Sequence, residues 1–87
     1  MTVQTTDQTG KTRFHEISAE DLCGYDAAST AKEAGDRAFE SFLPEDQFFQ
    51  FRRWDAGGYG KIGLGDIYEV SGAGNTRVGG ASFTVSA

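Results

Sequence analysis

The segment STAKEAGDRAFESFL, residues 29–43, is the most regular in the chain and determines its fold class. Thr30 and Glu33 have the spacing of a helix capping box, and Pro44 stops the helix that they begin. Small and aromatic residues fall on one side of this helix: Ala31, Ala34, Gly35, Ala38, Phe39 and Phe42. A glycine inside a helix costs about 1 kcal/mol relative to alanine, which close packing against a sheet justifies. The pattern therefore predicts a helix that lies tightly on a sheet.

The residues around the helix predict strands. Residues 11–18 (KTRFHEIS) have β character, and three further strands are predicted at 47–54, 62–71 and 77–86. A hairpin turn is predicted at residues 72–75, and Gly63 or Gly65 is predicted to mark a bulge because the alternation slips nearby.

Together these elements predict the order β-α-β-β-β. The expected fold is an α+β single domain over residues 11–87, an antiparallel meander with one helix packed on one face. Residues 1–10 are polar and predict a flexible N-terminal tail.

Length and composition exclude several function classes. The chain has 87 residues, enough for one small domain. Cys23 is the only cysteine, so neither an internal disulfide nor a Cys-x-x-Cys site can form. No apolar run reaches the roughly 18 residues of a membrane span. We expect a cytoplasmic protein without membrane contact, cofactor or metal ion.

A G-x-G-x-x-G run formed by Gly58, Gly60 and Gly63 resembles a phosphate-binding loop. Such a loop holds a dinucleotide only when it opens a helix, and here a strand-like segment follows. A kinase-type loop between two strands needs further machinery that a chain of this length cannot hold. The run is therefore interpreted as a pliable connection between two strands.

Two functional alternatives remain open. Cys23 and His15 could form a nucleophile–base pair in a small enzyme, although no spacing rule brings them together. Arg52, Arg53 and Trp54 could bind nucleic acid through phosphate contacts and stacking, against the repulsion of an acidic chain. If Phe49 and Phe51 face the core, strand alternation puts Phe48 and Trp54 on the other face, where a large aromatic ring would contact a partner.

The acidic residues are concentrated in one part of the chain. Residues 16–46 contain nine acids and two bases, whereas the remaining residues carry four acids and six bases. On the predicted helix, Glu33, Asp36 and Glu40 lie together, spaced along the axis by about 4.5 and 6 Å. This spacing is similar to that of phosphates along a nucleic-acid strand. Such a surface would complement a basic groove that binds DNA or RNA.

A short acidic chain with an alanine-rich capped helix across a small meander resembles phage and mobile-element proteins of the anti-CRISPR type. The resemblance implies a non-enzymatic inhibitor that occupies a host CRISPR complex, often over a DNA-binding surface, in the host cytoplasm. We therefore expect a protein-interaction module that contacts a host protein or ribonucleoprotein and not nucleic acid directly. The sequence leaves monomer and homodimer undecided. The predicted partner-binding residues are Glu33, Asp36 and Glu40 first, then Asp26, Glu45 and Asp46, with Trp54 and Tyr59 as aromatic anchors.

Overall fold

A computed structural model describes residues 1–24, 26–55 and 62–86. The elements in chain order are β1 (Thr2–Thr6), β2 (Thr12–Glu16), a 3-10 turn (Ala19–Asp21), α1 (Ala27–Glu40), β3 (Gln47–Trp54), β4 (Ile62–Ser71) and β5 (Gly74–Ser86). The strands form one five-stranded sheet in the order β2-β1-β5-β4-β3, with every neighbouring pair antiparallel. Helix α1 packs on one face of this sheet. The α+β class is confirmed, with one more strand than predicted.

The additional strand is β1, so residues 1–10 do not form the predicted tail. β1 lies between β2 and β5, and Val3 and Thr5 are completely buried. A tight turn connects β1 to β2: Asp7 Oδ1 accepts hydrogen bonds from the amide of Thr9 at 2.9 Å and the amide of Lys11 at 3.1 Å. The signal that the polar composition concealed is the high content of β-branched residues in this segment, followed by this turn chemistry.

Helix α1 begins earlier than the predicted capping box. Asp26 is the N-cap, and its carboxylate accepts a hydrogen bond from the amide of Ser29 at 2.8 Å. Asp26 caps a helix at least as well as a threonine, so the helix starts at Ala27 and contains Thr30 within its first turns. Its buried side is the predicted one, because Ala34, Gly35, Ala38 and Phe39 are buried.

The core is built from aromatic rings that meet between α1 and the sheet. Phe39 of the helix stacks on Phe49 of β3, with ring centroids 4.1 Å apart and nearly parallel planes. The ring of Phe83, from the central strand β5, meets both of them edge-on. A side chain at Gly35 or Gly63 would collide with the Phe83 ring. The glycine inside the helix is therefore explained by close packing, as predicted.

Two register shifts interrupt the sheet, both opposite β4. Gly65 and Leu64 pair with Phe51 and Arg53, so Arg52 is an extra residue in β3. A second shift, next to Ile67, leaves Val78 as an extra residue in β5. The sequence predicted a bulge on β4, at Gly63 or Gly65. The extra residues lie instead on the two strands that pair with β4.

The bulge at Arg52 reverses the expected orientation of Trp54. An extra residue changes the alternation, so Trp54 lies on the same face as Phe51. The Trp54 ring is 5.0 Å from the ring of Phe51 and 5.6 Å from that of Phe83. Trp54 therefore packs on the face of the sheet that α1 covers. Without the bulge, strand alternation would place it on the opposite face.

Candidate functional site

A groove lies between α1 and the edge strand β3, and we call it the α1–β3 groove. Its volume is about 380 Å³. The lining residues are Lys32, Asp36, Glu40, Phe48, Phe49, Gln50 and Phe51. Two of the three predicted helix acids thus face a concave surface next to an aromatic strand.

The charges in the α1–β3 groove are only partly compensated. Lys32 Nζ lies 3.0 Å from Asp36 Oδ2 and 5.6 Å from the centre of the Phe51 ring. Glu40 is exposed and forms no ion pair with another described residue. Because Lys32 and Asp36 compensate each other, the charge of Glu40 gives the groove a net negative charge.

Glu33 has a different environment from Asp36 and Glu40. Its Oε2 accepts a hydrogen bond from the backbone amide of Cys23 at 2.8 Å and lies 3.9 Å from Arg37 Nε. Glu33 does not line the α1–β3 groove. Its carboxylate attaches the segment before the helix to α1, so a substitution here changes local structure as well as charge.

The other predicted acidic contacts lie at the ends of the helix. Asp26 is the N-cap of α1, while Glu45 and Asp46 are exposed in the turn between α1 and β3. Trp54 packs against Phe83 as described above, and Tyr59 lies outside the described residues together with Gly58 and Gly60 of the glycine run. Of the predicted contacts that the structure describes, Asp36 and Glu40 lie together in one concave site.

Among the described strands, β4 is the one neighbour of β3 in the sheet, so the other edge of β3, along this groove, is unpaired in this part of the chain. The amide of Val70 donates to the carbonyl of Asp46 at 2.7 Å, which sets the phase of the antiparallel ladder. Hydrogen-bonded and non-hydrogen-bonded positions alternate along an antiparallel strand. The backbone groups of Phe48 and Gln50 are therefore the ones that hydrogen-bond to β4. The backbone groups of Phe49 and Phe51 point to the free edge, beside Asp36 and Glu40. Sequence reasoning missed this edge, because it depends on the strand order.

The structure does not bring Cys23 and His15 together. His15 lies on β2, where Nε2 is 2.9 Å from Thr5 Oγ1 and Nδ1 is 3.4 Å from Ser41 Oγ. Its ring stacks on Phe42. Burial, followed by the nearby charge of Arg13, lowers the pKa of His15. Cys23 is exposed, and its backbone amide donates a hydrogen bond to Glu33. Within the described residues, no hydrogen bond joins Cys23 to His15.

The residues of the nucleic-acid alternative are also separated. Arg52 and Arg77 both flank the buried carboxylate of Asp66, at 3.8 and 2.8 Å, so one of their two positive charges is compensated. Trp54 lies on the helix side. Phe48 and Tyr68 stack with ring centroids 5.6 Å apart.

A second polar cluster, which the sequence did not indicate, holds the β1–β2 turn. Arg13 Nη1 lies 2.6 Å from Asp7 Oδ2, and the Arg13 guanidinium covers the Phe42 ring at 4.2 Å. Burial alone would raise the pKa of Asp7, but hydrogen bonds from Thr9, Arg13 and Lys11 outweigh it and hold that pKa well below its ordinary value. Asp7 and Arg13 compensate each other's charge, and we interpret their pair as a structural contact that holds the turn.

Within the described ranges, no three His, Cys, Asp or Glu side chains are grouped so that they could hold a metal ion. The one helix in the same ranges lacks the length and apolar character needed to cross a membrane. Comparison with protein-family models, with curated proteins and with solved structures gives no match.

Proposed function

We propose that the protein is a non-enzymatic interaction module that covers a basic nucleic-acid-binding surface of a partner with the acidic side of α1. The observation that carries this proposal is the position of Asp36 and Glu40 in an open groove beside an unpaired strand. Acidic groups in a concavity attract a basic surface and accelerate its encounter with the protein. The expected partner is a host protein or ribonucleoprotein, as for inhibitors of the anti-CRISPR type.

The environments of the acids support a choice among them as contacts. Asp36 and Glu40 line the groove, whereas Glu33 is bonded to the Cys23 amide and Asp26 caps the helix. We therefore assign the main contacts to Asp36 and Glu40. Glu45 and Asp46 add negative charge in the turn that follows the helix.

Competition with DNA tests the proposal directly. Proteins from a lysate of the native host are bound to DNA-cellulose, and the purified protein is used to elute them. We expect wild type to release a specific protein or complex, which is identified by mass spectrometry and then titrated with the purified inhibitor by calorimetry. The variant Asp36→Lys/Glu40→Lys should lose this elution.

A matched control separates local from overall charge. The variant Glu20→Lys/Asp21→Lys makes the same change in net charge at exposed positions of the 3-10 turn, outside the groove. It should elute the partner as wild type does. Release of nothing by wild type, or equal release by a folded Asp36→Lys/Glu40→Lys variant, would disprove the proposed function.

A further inference from the structure

The free edge of β3 is chemically unusual. Its first five residues, Gln47 to Phe51, contain three phenylalanines and no charged side chain. Proteins commonly protect such edges with charges, bulges or short strands, because an open apolar edge recruits another strand. The edge is regular up to Phe51, after which the bulge at Arg52 interrupts it. It is therefore a template for a segment of about five residues, roughly 17 Å long.

We propose that the α1–β3 groove binds an extended basic segment of the partner as a sixth strand, paired with the free edge of β3. The inference rests on the proposed function for the basic character of the partner. The binding mode itself is derived from the strand order and the hydrogen-bond phase of β3.

The backbone determines how this segment would lie. Phe49 and Phe51 each offer an N–H and a C=O to the free edge, and their side chains face the helix side. In an antiparallel ladder, a residue opposite them has its own N–H and C=O directed at β3 and its side chain on the same face. The residues that bond to β3 are thus the residues whose side chains enter the groove beside Asp36 and Glu40. We expect lysine or arginine at these alternate positions.

Charge favours a basic partner over a second copy of the chain. The protein carries a net charge of −5, and a symmetric pairing through β3 would bring two acidic helices towards each other. A lysine or arginine side chain in the groove instead finds Glu40, an exposed acid, next to the Lys32–Asp36 pair. Since Lys32 already pairs with Asp36, Glu40 is the stronger of the two ionic contacts.

The test uses a synthetic heptapeptide of alternating lysine and valine, observed by amide chemical shifts and hydrogen exchange of the protein. We expect shifts along β3 and slower exchange at the amides of Phe49 and Phe51. Methylating the backbone nitrogens of the lysines should abolish binding, because these nitrogens face β3. Methylating those of the valines should be tolerated, since they face away. A heptapeptide with glutamate in place of lysine should not bind.

The variant Glu40→Gln should weaken binding of the lysine peptide by about two- to fivefold, the effect of one exposed ion pair. Glu20→Gln, the matched control away from the groove, should leave the affinity unchanged. Equal loss of affinity with both variants would overturn the assignment of Glu40.

The alternative outcomes are distinguishable from failure of the proposed function. Equal binding of both methylated peptides, with shifts confined to α1, would overturn strand addition and leave the acidic surface supported. Absence of peptide binding would overturn the inference, while the DNA-cellulose experiment decides the function separately. The amides of Phe49 and Phe51 could also be protected from exchange without peptide, with protection that increases with protein concentration. This result would show that a second copy of the chain occupies the edge, and it would overturn the inference.

Discussion

The two edges of the sheet are protected differently. β2 is five residues long and carries Arg13 and Glu16. Polar contacts hold it in place, from Arg13 to Asp7 and from His15 to β1. β3 is eight residues long and relies on aromatic rings stacked beneath α1. One edge is thus closed by length and charge, as edges usually are, and the other is left open beside a charged groove.

This difference indicates how stability and binding are distributed in the molecule. The aromatic half supplies stability that does not depend on protonation, whereas the β1–β2 half depends on ionised groups. The apolar packing under β3 would hold its free edge in place, as the proposed strand addition requires.

The largest effect is expected from truncating a ring under β3. Phe39→Ala should lower the free energy of unfolding by about 3–5 kcal/mol, because Phe39 is completely buried against Phe49 and Phe83. Phe14→Ala, on the β2 edge, removes the same group from a site that is 71% exposed and should change stability by less than about 0.5 kcal/mol. Urea denaturation of both variants checks this. Similar losses would contradict the distinction between the two edges.

A methyl group added beneath the same rings should have the next largest effect. Gly35→Ala would put a Cβ 2.5 Å from the Phe83 ring, so overpacking of about 1–3 kcal/mol should exceed the roughly 1 kcal/mol gained in helix propensity. Gly72→Ala, in the β4–β5 turn, meets nothing within 4 Å and serves as the control. Thermal unfolding of both is the measurement. A Gly35→Ala protein more stable than wild type would show that the helix is not held close to the sheet.

On the β2 side, Asp7→Asn should destabilise the protein by about 1–2 kcal/mol at neutral pH, because charged hydrogen bonds are lost. The pKa of Asp7 is lowered on folding from an ordinary value of 3.8, so the ionised form favours the folded state. Its contribution is complete above about pH 4 and disappears as the pH falls further. Denaturation across pH should show wild type and variant converging in acid. A constant difference, or an equal loss in Asp21→Asn, would argue against this assignment.

The smallest effect concerns His15. Its pKa is lowered on folding by burial and then by Arg13, so the unfolded chain takes up the proton first. Stability from His15 is complete above the unfolded pKa of about 6.5 and declines as the pH falls through that value towards the folded one. His15→Gln should flatten the stability curve in this window, and an NMR titration of the ring gives the folded pKa directly. A folded pKa above 6.5 would reverse the sign.

The sequence predicted the features that depend on local pattern. The buried side of α1, the residues 47–54 and 62–71 as strands, and the close packing at Gly35 all follow from spacing and side-chain size. These properties are set within a few residues of the chain, so one segment contains the information.

What the sequence did not predict depends on distant pairing. Trp54 changed face because Arg52 bulges, and the bulge exists only through the register with β4. Strand β1 was missed because its polar residues become buried only between β2 and β5. For the candidate site, the position of Glu40 on the helix followed from spacing, but its proximity to the free edge of β3 required the strand order.

The position of β1 beside β5 also has a consequence for how the chain folds. Thr2 pairs with Ser86, so the first and last strands meet across almost the whole sequence. Closing a loop of this length costs entropy that local hairpins avoid, and such contacts slow folding. We expect the β3–β4–β5 meander and α1 to form first and β1 to join last. Pulse-labelled hydrogen exchange during refolding should show the β1 amides protected after those of β4. During synthesis, the sheet would complete only after β5 has left the ribosome.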